Sequence, residues 1–114
     1  MKTITGEGYE IRLDDDSCVF FKGSLRLSGT EDYAPILAML KETLVKPLGP
    51  IVLDLKELDF LNSSGITMFS RFVIEVRDRA GIDLQIFASA AVSWHCRSLT
   101  NLQRLMPSLT VRLG

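Results

Sequence analysis

A single histidine, His95, and two cysteines, Cys18 and Cys96, are all the imidazole and thiol groups in the chain. They are too few and too poorly spaced for a zinc site or a disulfide framework. His95 and Cys96 adjoin, but neighbours on a helix point about 100° apart and no second histidine completes a triad, so the pair forms no nucleophilic centre. An excess of one charge is also missing. The 13 basic and 14 acidic side chains give a formal net charge of -1, and without a local Lys/Arg cluster there is no electrostatic footprint for DNA or RNA. Apolar runs are short: Ala34 to Leu40 falls far below the span of a bilayer, and Met1 to Glu10 lacks the apolar core of a secretion signal. A cytoplasmic protein with reduced thiols and no membrane contact is expected. Gly6-Glu7-Gly8 does not stand between a strand and a helix, and Asp14-Asp15-Asp16 lacks the further oxygen ligands of a calcium loop. The first is therefore no phosphate loop, and the second is a solvated hairpin tip. No metal, cofactor or catalytic residue is expected.

What the chain does hold is 46% hydrophobic residues in clear periodic patterns. Its 114 residues suit one domain, long enough to bury roughly two thirds of its unfolded surface. Tyr9, Ile11 and Leu13 alternate with Glu10, Arg12 and Asp14, the period of a strand with one buried face. A second strand over 18 to 27 sets Val19, Phe21, Gly23, Leu25 and Leu27 on one face and Lys22, Ser24 and Arg26 on the other, so the two form a hairpin. Ser28 to Asp32 supplies turn and capping residues for a helix with Tyr33, Ile36, Leu37, Leu40 and Leu44 on one stripe. Pro35 places its start between 31 and 34, and Lys46-Pro47-Leu48-Gly49-Pro50 ends it. Ile51 to Leu55 is nearly all apolar, the pattern of a central strand covered on both faces. Ile66, Phe69, Val73, Val76 and Ala80 recur at helical spacing over 64 to 80, before Gly81 as the stop. Leu84, Ile86 and Phe87 make a short strand, Val92 to about Leu105 a helix with a break near Asn101 and a stop at Pro107, and Leu109, Val111 and Leu113 a last strand. Strands separated by helices imply parallel crossovers. The expected fold is α/β, a mixed sheet of four to five strands in the order β-β-α-β-α-β-α-β with helices mainly on one face.

The richest segment is Ile51 to Phe69, where an apolar strand runs through Asn62-Ser63-Ser64-Gly65 into a helix. Helix N-termini carry unpaired N–H groups and partial positive charge, so a hydroxyl there either caps the helix or, once phosphorylated, holds its phosphate against those donors. On spacing alone, Asn62, Ser63 or Ser64 as a plain N-cap is the simpler account. The string LDLKELDFLNSSGITMF resembles the signature of STAS domains, the group that includes bacterial anti-sigma-factor antagonists, and Gly23-Ser24-Leu25-Arg26 falls where that family usually has Gly-Glu-Leu-Asp. The likeness spans about residues 9 to 113.

The resemblance implies a STAS-like fold and a non-enzymatic regulator that switches protein partners. It implies phosphorylation at Ser63, with Ser64 deeper in the helix start as the cap. Its partners would be a serine kinase or anti-sigma factor with a nucleotide-binding fold and an opposing phosphatase. The expected binding surface comprises Ser24, Arg26, Asn62, Ser64, Gly65, Met68 and Arg71, the last two on a helix side the core stripe does not need. Asn62 and Arg26 depart from the family's acidic positions, and Arg26 is either a solvated strand charge or a fork for a phosphate. A constitutive scaffold that binds through the same surface is one alternative, and a small anion- or ligand-binding domain using the 62 to 65 turn is another. Trp94 is either a surface anchor or part of the core.

Overall fold

The computed structural model describes residues 2–14, 17–45, 49–79 and 81–113, and within them every side chain except those of Ser93, His95 and Cys96. Asp15 and Asp16 of the acidic turn, Lys46 to Leu48 of the first helix stop, Ala80, and the His95–Cys96 side-chain pair lie outside the described residues.

Six strands and three helices follow one another as β1 (Lys2–Gly6), β2 (Tyr9–Leu13), β3 (Cys18–Leu25), α1 (Gly29–Glu42), β4 (Ile51–Leu61), α2 (Ser63–Arg79), β5 (Leu84–Ala88), α3 (Ser93–Leu105) and β6 (Thr110–Leu113). They form one sheet in plain sequential order, β1 through β6. The first three strands pair antiparallel, and β3 to β6 run parallel. Each parallel crossover steps to the next strand in the same direction, so right-handed connections put α1, α2 and α3 on the same side. Contacts of α1 with α2 and of α2 with α3 make that layer continuous.

The STAS-like mixed sheet is found, with one strand more than expected. β1 left no signal because Lys2, Thr3 and Thr5 are exposed and Ile4 alone packs on the core. β4 corrects the reading of a strand covered on both faces. Ile51, Leu53 and Leu55 are buried beneath the helices, while Val52 and Asp54 between them are half-buried on a face that no described helix covers. β4 also runs on to Leu61. Its register against β3 shifts twice, keeping Leu58 and Leu61 turned inward although the period of two is broken.

The helix ends differ in smaller ways. α1 begins at Gly29, ahead of the expected 31 to 34, and contains Pro35. The ring sits on the exposed side, where water can take the carbonyl that lost its donor. α3 runs unbroken through the exposed Asn101. The core of α2 consists of Met68, Phe69, Phe72, Val73 and Val76, and Ile66 is only partly buried. Gly81, with φ 76°, stops that helix in the left-handed region as expected.

Candidate functional site

β3 and β4 end side by side, with Leu25 opposite Leu61, and the chain after Leu61 turns into α2. Asn62 N–H reaches Leu25 O at 3.2 Å, and the helical ladder starts where Ile66 N–H meets Asn62 O at 3.0 Å. The Asn62 side chain joins three elements. Its Oδ1 accepts from Tyr33 Oη of α1 at 2.7 Å and from Gly65 N–H at 3.0 Å, while its Nδ2 donates to Leu27 O at 2.8 Å. That donor and acceptor pattern fixes the amide orientation. It also accounts for asparagine at this position, because an ionised aspartate can accept both bonds but has nothing to offer the Leu27 carbonyl.

Asn62 is therefore the N-cap of α2, correcting the assignment of that role to Ser64. Ser63, the first helical residue, is exposed, and Ser64 is half-buried. Gly65 is buried so tightly that a Cβ there would collide with Leu61 and come within 2.9 Å of Tyr33 Oη. No acidic residue stands in the first turn of α2. The amides of Ser63 and Ser64 precede the ladder and face outward with the positive end of the helix dipole.

The expected surface residues fall on two sides of this turn. Arg71 is exposed on the helix layer, beside a groove of about 430 Å³ between α1 and α2 that is also lined by Thr30, Leu37 and Lys41. Met68, 3% exposed, belongs to the core and reaches only the floor of a narrow crevice with Tyr33 and Leu37. Its helical spacing from Arg71 suggested a shared outer side, but the crossing of α1 over α2 buries it. Ser24 and Arg26 lie on the opposite, helix-free side. Ser24 pairs with Phe60 in register, and the Arg26 guanidinium sits 4.4 Å from the Phe60 ring centroid. Arg26 also borders a cleft of about 370 Å³ with Glu7, Tyr9 and Leu27. The glycine of the Gly23-Ser24-Leu25-Arg26 segment has a local cause: Gly23 has φ 95°, and a Cβ on it would strike the Gly8 carbonyl, which accepts Ser24 N–H at 2.9 Å.

Sequence reasoning missed Phe60, an exposed aromatic at 39%, because a period of two would put it on the inward face of Leu58, and the register shift between Gly23 and Ser24 turns it outward. It also missed the Tyr33–Asn62 bond, which links residues distant in sequence. Trp94 has a structural use: its indole Nε1 donates to Asp59 O at 3.1 Å and the ring packs partly on the core, tying α3 to the end of β4. Among the described residues, no group of three His, Cys, Asp or Glu is placed to hold a metal ion, and no helix is long and apolar enough to cross a membrane.

No protein-family model matches the chain, and neither does any curated protein. A solved structure does. In the crystal structure of the diguanylate cyclase SiaD in complex with its activator SiaC from Pseudomonas aeruginosa, the matched chain superposes with a TM-score of 0.76 over 100% of both chains, at 13% sequence identity. The fold is that of SiaC. Since so little sequence is shared, the likeness to SiaC concerns the path of the backbone, and the side chains at the turn must be interpreted from their own geometry.

Proposed function

We propose that this chain is a non-enzymatic regulator of the STAS type that works by reversible association with a protein partner, with the 62 to 65 turn at the centre of its docking surface and Ser63 as its switch. The observation that carries this reading is the exposed Ser63 at the open N-terminus of a helix that Asn62 already caps. Because the cap does not use the Ser63 hydroxyl, a phosphate of about -1.5 to -2 charges can be added without removing a bond that holds the helix. The added charge then changes what the surface accepts rather than whether it folds. SiaC supports the general class, since it is named as the activator of an enzyme that it binds. A partner with a nucleotide-binding fold, such as a serine kinase or anti-sigma factor, and an opposing phosphatase follow from the resemblance of Asn62-Ser63-Ser64-Gly65 to the STAS phosphoacceptor loop.

One observation favours a second reading, a constitutive docking domain without the switch. Arg26 is stacked on Phe60, and Asn62 is committed to the clasp, so neither supplies the acidic surroundings of the family's phosphosite. Phosphopeptide mapping of protein from its native cells, combined with binding of wild type and Ser63→Asp to the captured partner, separates the two. The switch predicts phosphate on Ser63 and weaker binding by the Asp variant. No phosphate under any growth condition, with equal affinities, leaves the constitutive reading.

A further inference from the structure

Resting on the reading of Ser63 as the switch, we infer that Arg26 is the built-in receiver of its phosphate, with the Phe60 ring as the platform that holds the guanidinium in place. The backbone sets the two residues side by side. Asn62, which immediately precedes Ser63, donates its own N–H to Leu25 O at 3.2 Å and its Nδ2 to Leu27 O at 2.8 Å. Arg26 is thus anchored on both sides to the residue that leads into α2. Adjacent strands lie about 4.8 Å apart and consecutive Cα atoms about 3.8 Å, which leaves Ser63 within the combined reach of an arginine and a phosphoserine side chain. Both groups are exposed and uncommitted. Among the described residues the Ser63 hydroxyl bonds to no other group, and the Arg26 guanidinium has no carboxylate or carbonyl partner, only its stack on Phe60 at 4.4 Å from the ring centroid.

A guanidinium lying with its face on a ring keeps its edge N–H groups free, and that edge matches two oxygens of a phosphate. Arg71 is no substitute, because it stands on the helix-layer side, about 12 Å further along the axis of α2. Glu7 lines the cleft beside Arg26 without pairing to it, and a phosphate of about -1.5 to -2 charges attracts the guanidinium more strongly than a single carboxylate does. The departure from an acidic residue at this position then has a use. An acid beside Ser63 would repel the phosphate, whereas Arg26 draws it onto the end of the sheet. Phosphorylation would thereby act twice on the docking surface, adding negative charge at Ser63 and cancelling the positive charge that the unmodified protein shows at Arg26.

The test is a phosphorus NMR pH titration of the full chain carrying phosphoserine at position 63, introduced by genetic encoding so that no kinase is needed. The second ionisation of the phosphate, ordinarily near about 6, should lie lower in this protein and rise by about one unit, a tenfold change in proton affinity, in Arg26→Gln. Phe60→Leu, which removes the platform and keeps the charge, should give an intermediate value. If Arg26→Gln lowers the melting temperature, Arg26→Lys replaces it, with a smaller rise expected because the charge stays and the fork is lost. An ionisation equal in the parent protein and in the Arg26 variants would overturn the proposal and leave the phosphate on the amides of α2 or in water. A value in Phe60→Leu equal to that of the parent would overturn the platform role of Phe60. Since the phosphate is placed chemically, its absence from Ser63 in native cells would end the switch without altering this result, and an unchanged ionisation here would leave the switch to act without Arg26, so the two readings fail separately.

Discussion

Replacing Asn62 by aspartate keeps the shape of the side chain and exchanges one donor for an acceptor, so the three bonds of the clasp respond unequally. Those from Tyr33 Oη and Gly65 N–H survive, while the Leu27 carbonyl loses its partner and faces a negative oxygen. Asn62→Asp should cost about 1 to 3 kcal/mol in urea unfolding, and the deficit should shrink at acid pH, where a protonated carboxyl again has a hydrogen to donate. A deficit independent of pH would mean that the Leu27 bond carries little weight. Tyr33 gives a second test from the other end of the clasp. Burial pushes its phenol above the ordinary tyrosine range and Tyr9 adds to this, while a backbone hydrogen bond with Leu27 partly offsets both. The folded state therefore holds this proton more tightly than the unfolded chain does. Its contribution to stability is complete below the ordinary value of about 10 and is lost as pH rises through the folded value. Tyr33→Phe should be less stable than wild type by roughly 0.5 to 1.5 kcal/mol at neutral pH, with the gap narrowing in alkaline solution. Parallel curves would show that the phenol does not titrate with unfolding. In the sequence, Asn62 is visible as one of three candidate caps and as a departure from an acidic pattern, but not as the centre of a clasp. Its role depends on Tyr33 and Leu27, which no local spacing connects to it.

At the level of elements, legibility follows how one-sided the burial is. α2 is readable because Phe69, Val73 and Val76 recur on one stripe, and all three are buried. Phe69 is 1% exposed, and its ring lies 5.2 Å from that of Phe21 across the helix–sheet interface. Phe69→Ala should cost about 3 to 5 kcal/mol; a loss under 1 kcal/mol in chemical denaturation would contradict that packing. Met68 and Phe72 escaped the stripe because α1 on one flank and α3 on the other widen the buried arc of α2 beyond a single seam. β4 misled for the opposite reason. Its apolar run gave no alternation to show that one face stays open, and the two register shifts removed the period further along. β1 was invisible because a mostly exposed edge strand has no buried face to announce.

For the whole molecule, the sequential strand order explains both the helix layer and the bare face. It also makes β1 the cap on the antiparallel edge of the sheet. β1 contributes little to the core: Ile4 packs against it, and the exposed Lys2–Glu42 ion pair links the strand to α1. Such surface pairs stabilise weakly, so the larger effect of β1 is to occupy the hydrogen-bonding edge of β2. Without it, Tyr9 to Leu13 would present unpaired N–H and C=O groups, a template for another chain. Deleting residues 1 to 6 should therefore leave the far-ultraviolet circular dichroism close to that of the full chain. It should lower the melting temperature by several degrees, on the order of 4 to 8 °C per kcal/mol for a domain of this size. The variant should also associate in proportion to its concentration. Size-exclusion chromatography with light scattering, run across a dilution series of both proteins, measures this directly. A truncated chain that behaves at every concentration as the full chain does would show that the twist of β2, rather than the presence of β1, protects that edge.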